Sequence, residues 1–201
     1  MKPKSFWNER YVLKNYVYGS DPNEFVKTAL STLNNGRVLF PLEGEGRNAC
    51  YAAQKNFVVD AFDYAEQGKY KALQLFERNN VKVNYSIETA DDFDYGIEKY
   101  DAIFLIFAHL PPKNRVKMHQ KISKALKKGG YLFMEVFHPN QLDEKYTSGG
   151  PQTIDMLYDE ALLVGDFQGL EIVKAEEKEI ELNEGKYHQG KAFVTHFIAK
   201  K

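Results

Sequence analysis

The stretch Arg37–Asp63, RVLFPLEGEGRNACYAAQKNFVVDAFD, holds two apolar runs with a glycine turn and a helical pattern between them. The first run, Val38–Phe40, stops at Pro41. Two glycines follow, Gly44 and Gly46, each preceded by an acid, Glu43 and Glu45. Helical spacing then extends from Arg47 to Gln54, and the second run, Phe57–Val59, leads through Ala61 and Phe62 to Asp63. Strand, glycine turn, helix, strand and acid is the order of the nucleotide-binding half of an open α/β sheet.

That order has a physical consequence. A strand ending in a glycine turn delivers the chain to the crevice at the carboxyl edge of a parallel sheet. Gly44 and Gly46, lacking Cβ, let the backbone approach a ligand closely. The helix from Arg47 points its free N–H groups at the same place. Asp63, ending the next strand, is positioned to accept hydrogen bonds from both hydroxyls of a ribose. A dinucleotide and S-adenosylmethionine both suit this layout, and Gly44-Glu45-Gly46-Arg47-Asn48-Ala49 fits a loose G-x-G-x-x-A pattern. Glu43 and Glu45 favour the second, because carboxylates repel a pyrophosphate and attract a sulfonium and an ammonium. The plain structural alternative is an acidic surface turn.

Working outward, the 201 residues suffice for one domain with a buried core. Apolar residues make up 43% and aromatics 14%, which predicts a packed globule. A net charge of −1 argues against broad electrostatic capture of nucleic acid. Cys50 is the single cysteine, so neither an internal disulfide nor a cysteine-based metal site is expected, and no His/Asp/Glu spacing suggests a metal. No run approaches the roughly 18 apolar residues of a membrane span. The expectation is a cytoplasmic protein, monomer or homodimer, with no nucleic-acid or membrane partner.

Before the first strand lies an aromatic-rich arm. A short helix capped by Ser5 is expected there, then the turn-rich Tyr16–Asn23 and an amphipathic helix over Phe25–Leu33. After Asp63, a helix is expected over Tyr64–Asn79, where Ala65, Tyr70, Leu73 and Phe76 repeat at helical spacing and Gly68 lets an adenosine lie close. Val81–Ile87 reads as a strand, followed by the acidic turn Glu88–Asp94. The nearly all-apolar Tyr100–Phe107 suits a central strand, and it delivers Phe107, Ala108 and His109 to the crevice edge. A helix over Lys113–Lys127 closed by Gly129-Gly130, a strand over Tyr131–Phe137, a mobile loop to Pro151 and a helix over Ile154–Leu163 follow. Leu170–Leu182 and Tyr187–Ala199, joined by the turn Asn183–Lys186, predict an antiparallel hairpin.

Leu42-Glu43-Gly44-Glu45-Gly46-Arg47-Asn48-Ala49 resembles the first motif of class I S-adenosylmethionine-dependent methyltransferases. It is most similar to the small-molecule group related to tellurite-resistance and thiopurine methyltransferases. Trp7-Asn8-Glu9-Arg10-Tyr11, Tyr18-Gly19-Ser20-Asp21-Pro22-Asn23, the L-K-K-G-G-Y-L before the fifth strand and Glu184–Gly190 extend the resemblance over nearly the whole chain. Phe40 and Leu42 depart from the fuller motif, standing where many members have an acid and a first glycine.

The resemblance implies an α/β, Rossmann-like class I methyltransferase fold: a mostly parallel seven-stranded sheet, helices on both faces and a C-terminal antiparallel hairpin. It implies a single domain over residues 1–201, with residues 1–35 as an arm or lid. Expected cofactor contacts are Glu43, Gly44, Glu45, Gly46, Arg47, Asn48, Asp63, Tyr64, Gly68, Phe107 and Ala108. After the third strand the adenine contact stays open among Glu88, Thr89, Ala90 and Asp91. Methyl transfer mainly needs alignment of nucleophile and methyl, and a base only when the acceptor keeps its proton. His109 and Tyr18 are the catalytic candidates; His138 and His188 stand behind His109, and Arg115 is a candidate to steer an anion. Expected acceptors are tellurite, selenite, a thiol or a small metabolite. A nicotinamide-dependent oxidoreductase and a non-catalytic cofactor-binding protein are the alternatives.

Overall fold

Side chains alternate between two apolar layers along the central strands, and that alternation builds the molecule. The structure, a computed structural model, describes residues 2–201. Two helices, α1 (Lys4–Tyr11) and α2 (Glu24–Ser31), precede β1 (Arg37–Pro41), α3 (Arg47–Gln54), β2 (Val58–Asp63), α4 (Glu66–Arg78) and β3 (Asn84–Ile87). Then come β4 (Tyr100–Ile106), α5 (Pro112–Ala125), β5 (Leu126–Phe137), α6 (Glu160–Asp166), β6 (Glu171–Glu184) and β7 (His188–Lys200). The sheet order is β3-β2-β1-β4-β5-β7-β6. Strands β1 to β5 are parallel, while β7 runs antiparallel between β5 and β6.

On β4, Ala102 and Phe104 face one layer, with α2, α3 and α4, while Ile103 and Leu105 face the other, with α5 and α6. A continuous apolar run is what a strand covered on both faces requires. Phe40, Phe104 and Phe133 stack across β1, β4 and β5 with centroids 4.8 and 5.0 Å apart. Phe40, which departs from the fuller motif, is therefore a core ring.

Several expected elements are corrected. The first helix is not capped by Ser5: it begins at Lys4 after Pro3, with no side-chain cap. Of Val81–Ile87, only Asn84–Ile87 pairs with β2. The segment Lys127–Gly130 does not close α5. Leu126 is already extended and opposite Tyr100, and the register shift before Ala102–Tyr131 absorbs the next four residues. The Ile154–Leu163 helix is broken into a 3-10 turn, Ile154–Met156, and α6, because Leu157 is extended and Tyr158 donates its N–H to Phe137 O at 3.0 Å. The buried face of α4 is Gly68, Lys71, Ala72, Leu75 and Phe76, whereas Tyr70 and Leu73 are 60% and 46% exposed.

The strand order reverses between β1 and β4. The loops leaving these two strands diverge there and open a crevice at their carboxyl ends.

Candidate active site

A cavity of about 530 Å³ fills that crevice. The loop after β1 forms its floor. Gly44 has φ +59, and a Cβ there would meet Tyr11 Oη at 2.6 Å. Gly46 has φ +85 and packs so closely on α4 that a Cβ would meet Ala72 Cβ at 2.7 Å. Leu42 (φ 55) and Phe107 (φ 51) adopt the same left-handed region without being glycine. Non-glycine residues in this region cost about 1–3 kcal/mol each and cluster at functional sites. These two end β1 and β4, and both line the cavity.

Glu43 lines the cavity and caps α3. Its Oε1 accepts the amide protons of Asn48 and Ala49, each at 2.8 Å. The N–H groups expected to face a ligand are thus taken by the protein itself. Burial pushes the Glu43 carboxyl up to about 7, despite these bonds and nearby Arg47. Asp63 accepts from Ala65 N (2.8 Å) and Gly44 N (3.2 Å), shaping the turn, and burial pushes it up to about 6. Neither acid has a basic ion-pair partner among the described residues.

Glu45 is differently employed. Its carboxylate accepts Val17 N at 2.8 Å and pairs with buried Lys71, so it pins the arm, although it also borders the cavity. Arg47 likewise borders the cavity but gives its guanidinium to Glu184 (2.7 Å) and Tyr18 O (3.1 Å). Asn48 Oδ1 accepts Asn23 N at 2.9 Å. Tyr64, Thr89, Ala90 and Asp91 line the same cavity. Four expected contacts do not. Gly46 faces α4, Gly68 packs under Gly44 and Tyr11, and Ala108 turns into the core. Glu88 lies on a separate shallow pocket beside Arg37, Asp60 and Lys99.

His109 lines the cavity but presents no base. Phe137 N–H donates to its Nε2 at 3.1 Å, which puts the proton on Nδ1, and that proton goes to Met156 O at 2.6 Å. Burial pushes its pKa down to about 3. It is a clamp between the ends of β4 and β5 and the Met156 loop. Tyr18 lines the cavity with its hydroxyl accepting Arg10 Nη1 at 2.7 Å, and burial raises its pKa, so it stays a phenol. His138 lies outside, binding Asn140 N and reaching Glu177, and Arg115 pairs with Asp166 at 2.7 Å, also outside.

His188 does line the cavity, on the β6–β7 turn. Arg10, which motif reading passed over, lines it too. It lies over Phe6 and Tyr187 at 4.5 and 4.2 Å, with no carboxylate partner among the described residues. It belongs to the Trp7–Tyr11 stretch that carries the resemblance, but nothing local marks it out from its neighbours there. Among the described residues no group of three or more His, Cys, Asp or Glu is placed to hold a metal, and no helix is long and apolar enough to cross a membrane.

Residues 43–130 match the family model described as a methyltransferase domain. No curated protein sequence matches the chain. Among solved structures, it is similar to a SAM-dependent methyltransferase from Methanosarcina mazei, with TM-score 0.71 and 19% identity over 90% of this chain and 98% of that one. TehB from Haemophilus influenzae matches with TM-score 0.71 and 17% identity, over 98% of this chain and 66% of that one. The 1,6-didemethyltoxoflavin-N1-methyltransferase of Burkholderia thailandensis, solved with 1,6-didemethyltoxoflavin and S-adenosylhomocysteine, matches with TM-score 0.63 and 17% identity, over 89% of this chain and 78% of that one. At these identities the likeness is one of fold. A methyltransferase-domain model thus matches residues 43–130, and the chain as a whole has the class I methyltransferase fold.

Proposed function

We propose that this methyltransferase domain binds S-adenosylmethionine and transfers its methyl group to a small-molecule acceptor. One observation carries the reading. Two carboxylates, half-buried Glu43 and buried Asp63, border the cavity without a cation of their own, and desolvation holds both far above the usual carboxylate range. A positively charged guest relieves that cost, whereas a pyrophosphate adds to it. The donor set therefore fits the cofactor: Asp63 for the ribose, Glu43 for the cationic end, and Thr89, Ala90 and Asp91 beside the base. Bound there, it supplies a methyl on a sulfonium with a neutral leaving group. The protein then has to align the acceptor and exclude water. Phe107, Phe137 and Tyr18 wall the rest of the cavity, a size and character suited to a small molecule. The toxoflavin enzyme, solved with S-adenosylhomocysteine and 1,6-didemethyltoxoflavin together, supports that scale of acceptor.

Calorimetric titration with S-adenosylmethionine, S-adenosylhomocysteine and NAD tests the reading. Binding of the first two in preference to NAD is expected. Tight NAD binding with none of S-adenosylmethionine would return the chain to the oxidoreductase alternative.

A further inference from the structure

His188 begins β7 just after Glu184 ends β6, so the hairpin turn sets one against the other. The His188 Nδ1 lies 3.2 Å from Glu184 Oε2. The Glu184 carboxylate is fixed from two further sides, by Arg47 Nη2 at 2.7 Å and Asn23 Nδ2 at 2.9 Å. Burial pushes this carboxyl up, but His188 and Arg47 outweigh burial and bring it to about 2. An ionised acceptor at Nδ1 holds the ring proton there and leaves the Nε2 lone pair bare. Nε2 has no protein partner among the described residues and is not sealed from solvent. The ring is 7% exposed and borders the cavity. Tyr18, Phe107 and Phe137 surround it, with ring centroids at 4.6, 4.5 and 5.6 Å. His109, the other histidine on this cavity, has both nitrogens engaged.

We propose that His188 Nε2 is the general base of this site, with Glu184 as its positioning residue, and that the acceptor is a flat ring bearing an O–H or N–H. This rests on the methyltransferase reading above, and it narrows the acceptor away from thiolates and metalloid oxyanions, which need no base. In the step, the acceptor's heteroatom–hydrogen bond breaks and the proton forms a bond to Nε2. The electron pair stays on the heteroatom, which becomes the nucleophile. The resulting imidazolium keeps its Nδ1–H on Glu184, so the pair is neutral overall. The proton passes to water when product leaves. Aromatic walls favour a flat ring because stacked or edge-on rings add attraction beyond area burial.

The charged and titratable groups around His188 are Glu184 and Arg47 beside it, Glu135 on β5, His109 at the end of β4, and Tyr18 with Arg10 behind its hydroxyl. Burial lowers the imidazole pKa, Glu184 raises it and Arg47 lowers it, and the net shift is downward. The ring is therefore in its base form at neutral pH.

Two measurements on the full chain test the proposal. Nitrogen NMR of the His188 ring needs no acceptor. A proton on Nδ1 and a bare Nε2 at pH 8 are expected, and a proton on Nε2 overturns the idea. Labelled methyl transfer is then read across phenols, ring N–H heterocycles, small thiols and selenite. Turnover of the first two classes is expected. His188→Gln is expected to cut kcat about a hundredfold or more, leave donor affinity within about twofold, and remove the acid limb of the kcat/KM profile. Turnover confined to thiols or selenite, or an unchanged kcat in His188→Gln, overturns it. If no acceptor turns over, the tautomer decides. Donor affinity, measured separately by calorimetry, reports on the methyltransferase reading itself, so the two failures are distinguishable.

Discussion

Glu43 and Asn48 grip each other across the glycine turn: Asn48 N–H donates to Glu43 Oε1 at 2.8 Å and Asn48 Nδ2 donates to Oε2 at 3.4 Å. The acid before the turn thus caps the helix after it, in a site where burial holds its carboxyl at about 7 against an ordinary 4.5. The folded state holds the proton more tightly than the unfolded chain, so stability is lost as pH rises from about 4.5 through 7. Glu43→Gln keeps an oxygen for the cap and never ionises. Relative to the parent, it is expected to be no more stable at pH 5 and about 1–3 kcal/mol more stable at pH 8. Denaturant titration at the two pH values measures this. The same variant should bind S-adenosylmethionine at least about tenfold more weakly, a loss of roughly 1.4 kcal/mol. A gain in relative stability at pH 5 instead of pH 8 would refute the burial argument.

Asp63 shapes its own turn and, on the proposed function, would also hold the ribose. Its oxygens hold the Gly44 and Ala65 amides, and their remaining lone pairs are open to a ribose. Asp63→Ala should therefore weaken cofactor binding at least about tenfold and also cost about 1–3 kcal/mol of stability through the released amides. An acid at a strand end need not matter to the fold, but this one does. Calorimetry and chemical denaturation of the same variant measure both effects. Full affinity would mean that the ribose lies elsewhere.

His109 should behave as structure. Removing its ring strands the Phe137 amide and the Met156 carbonyl, both now satisfied by it. His109→Ala is expected to lose about 2–6 kcal/mol, since each of the two buried groups left unpaired costs about 1–3 kcal/mol. The acid limb of the kcat/KM profile should stay where it was. A shifted limb would restore His109 as a titrating group.

Which parts of this structure the sequence exposes follows from how local each signal is. Arg47–Gln54 is read correctly as a helix because a glycine precedes it and its apolar spacing is short-range. The C-terminal hairpin is equally plain, with two alternating runs around Gly185. The helix α4 is legible from spacing but its buried face is not, since Lys71 at its centre counts as polar. Its ammonium nonetheless meets the carbonyls of Leu13 and Asn15 and the carboxylate of Glu45, all distant in sequence. His109 is correctly placed at the crevice, but its lack of free nitrogens depends on Met156 and Phe137, which no local pattern announces. Strand order and strand ends bring residues to the crevice. Which of them remain free to react is settled by long-range hydrogen bonds.

The last prediction separates the two halves of the N-terminal arm. The half from Tyr16 to Asn23 is stitched down: Val17 N reaches Glu45 at 2.8 Å, Tyr18 O takes Arg47 at 3.1 Å, and Asn23 N reaches Asn48 at 2.9 Å. The half formed by α1 buries only Tyr11, and it is held by the edge contacts Asn8–Glu66 and Lys4–Glu66. Yet α1 brings Phe6, Trp7 and Arg10 to the cavity. Segments with few buried apolar contacts open at low free energy, and lids are drawn from such segments. Hydrogen exchange should therefore be slow over Tyr16–Asn23 with or without S-adenosylmethionine, and should slow over α1 only when it binds. Deleting residues 1–12 should leave a folded chain that binds cofactor but transfers poorly. Deletion through Asn23 should destabilise the protein outright, because Glu45 and Lys71 would keep a buried ion pair stripped of its arm. Equal exchange of α1 with and without cofactor, together with full transfer after removal of residues 1–12, would show that α1 is packing and not a lid.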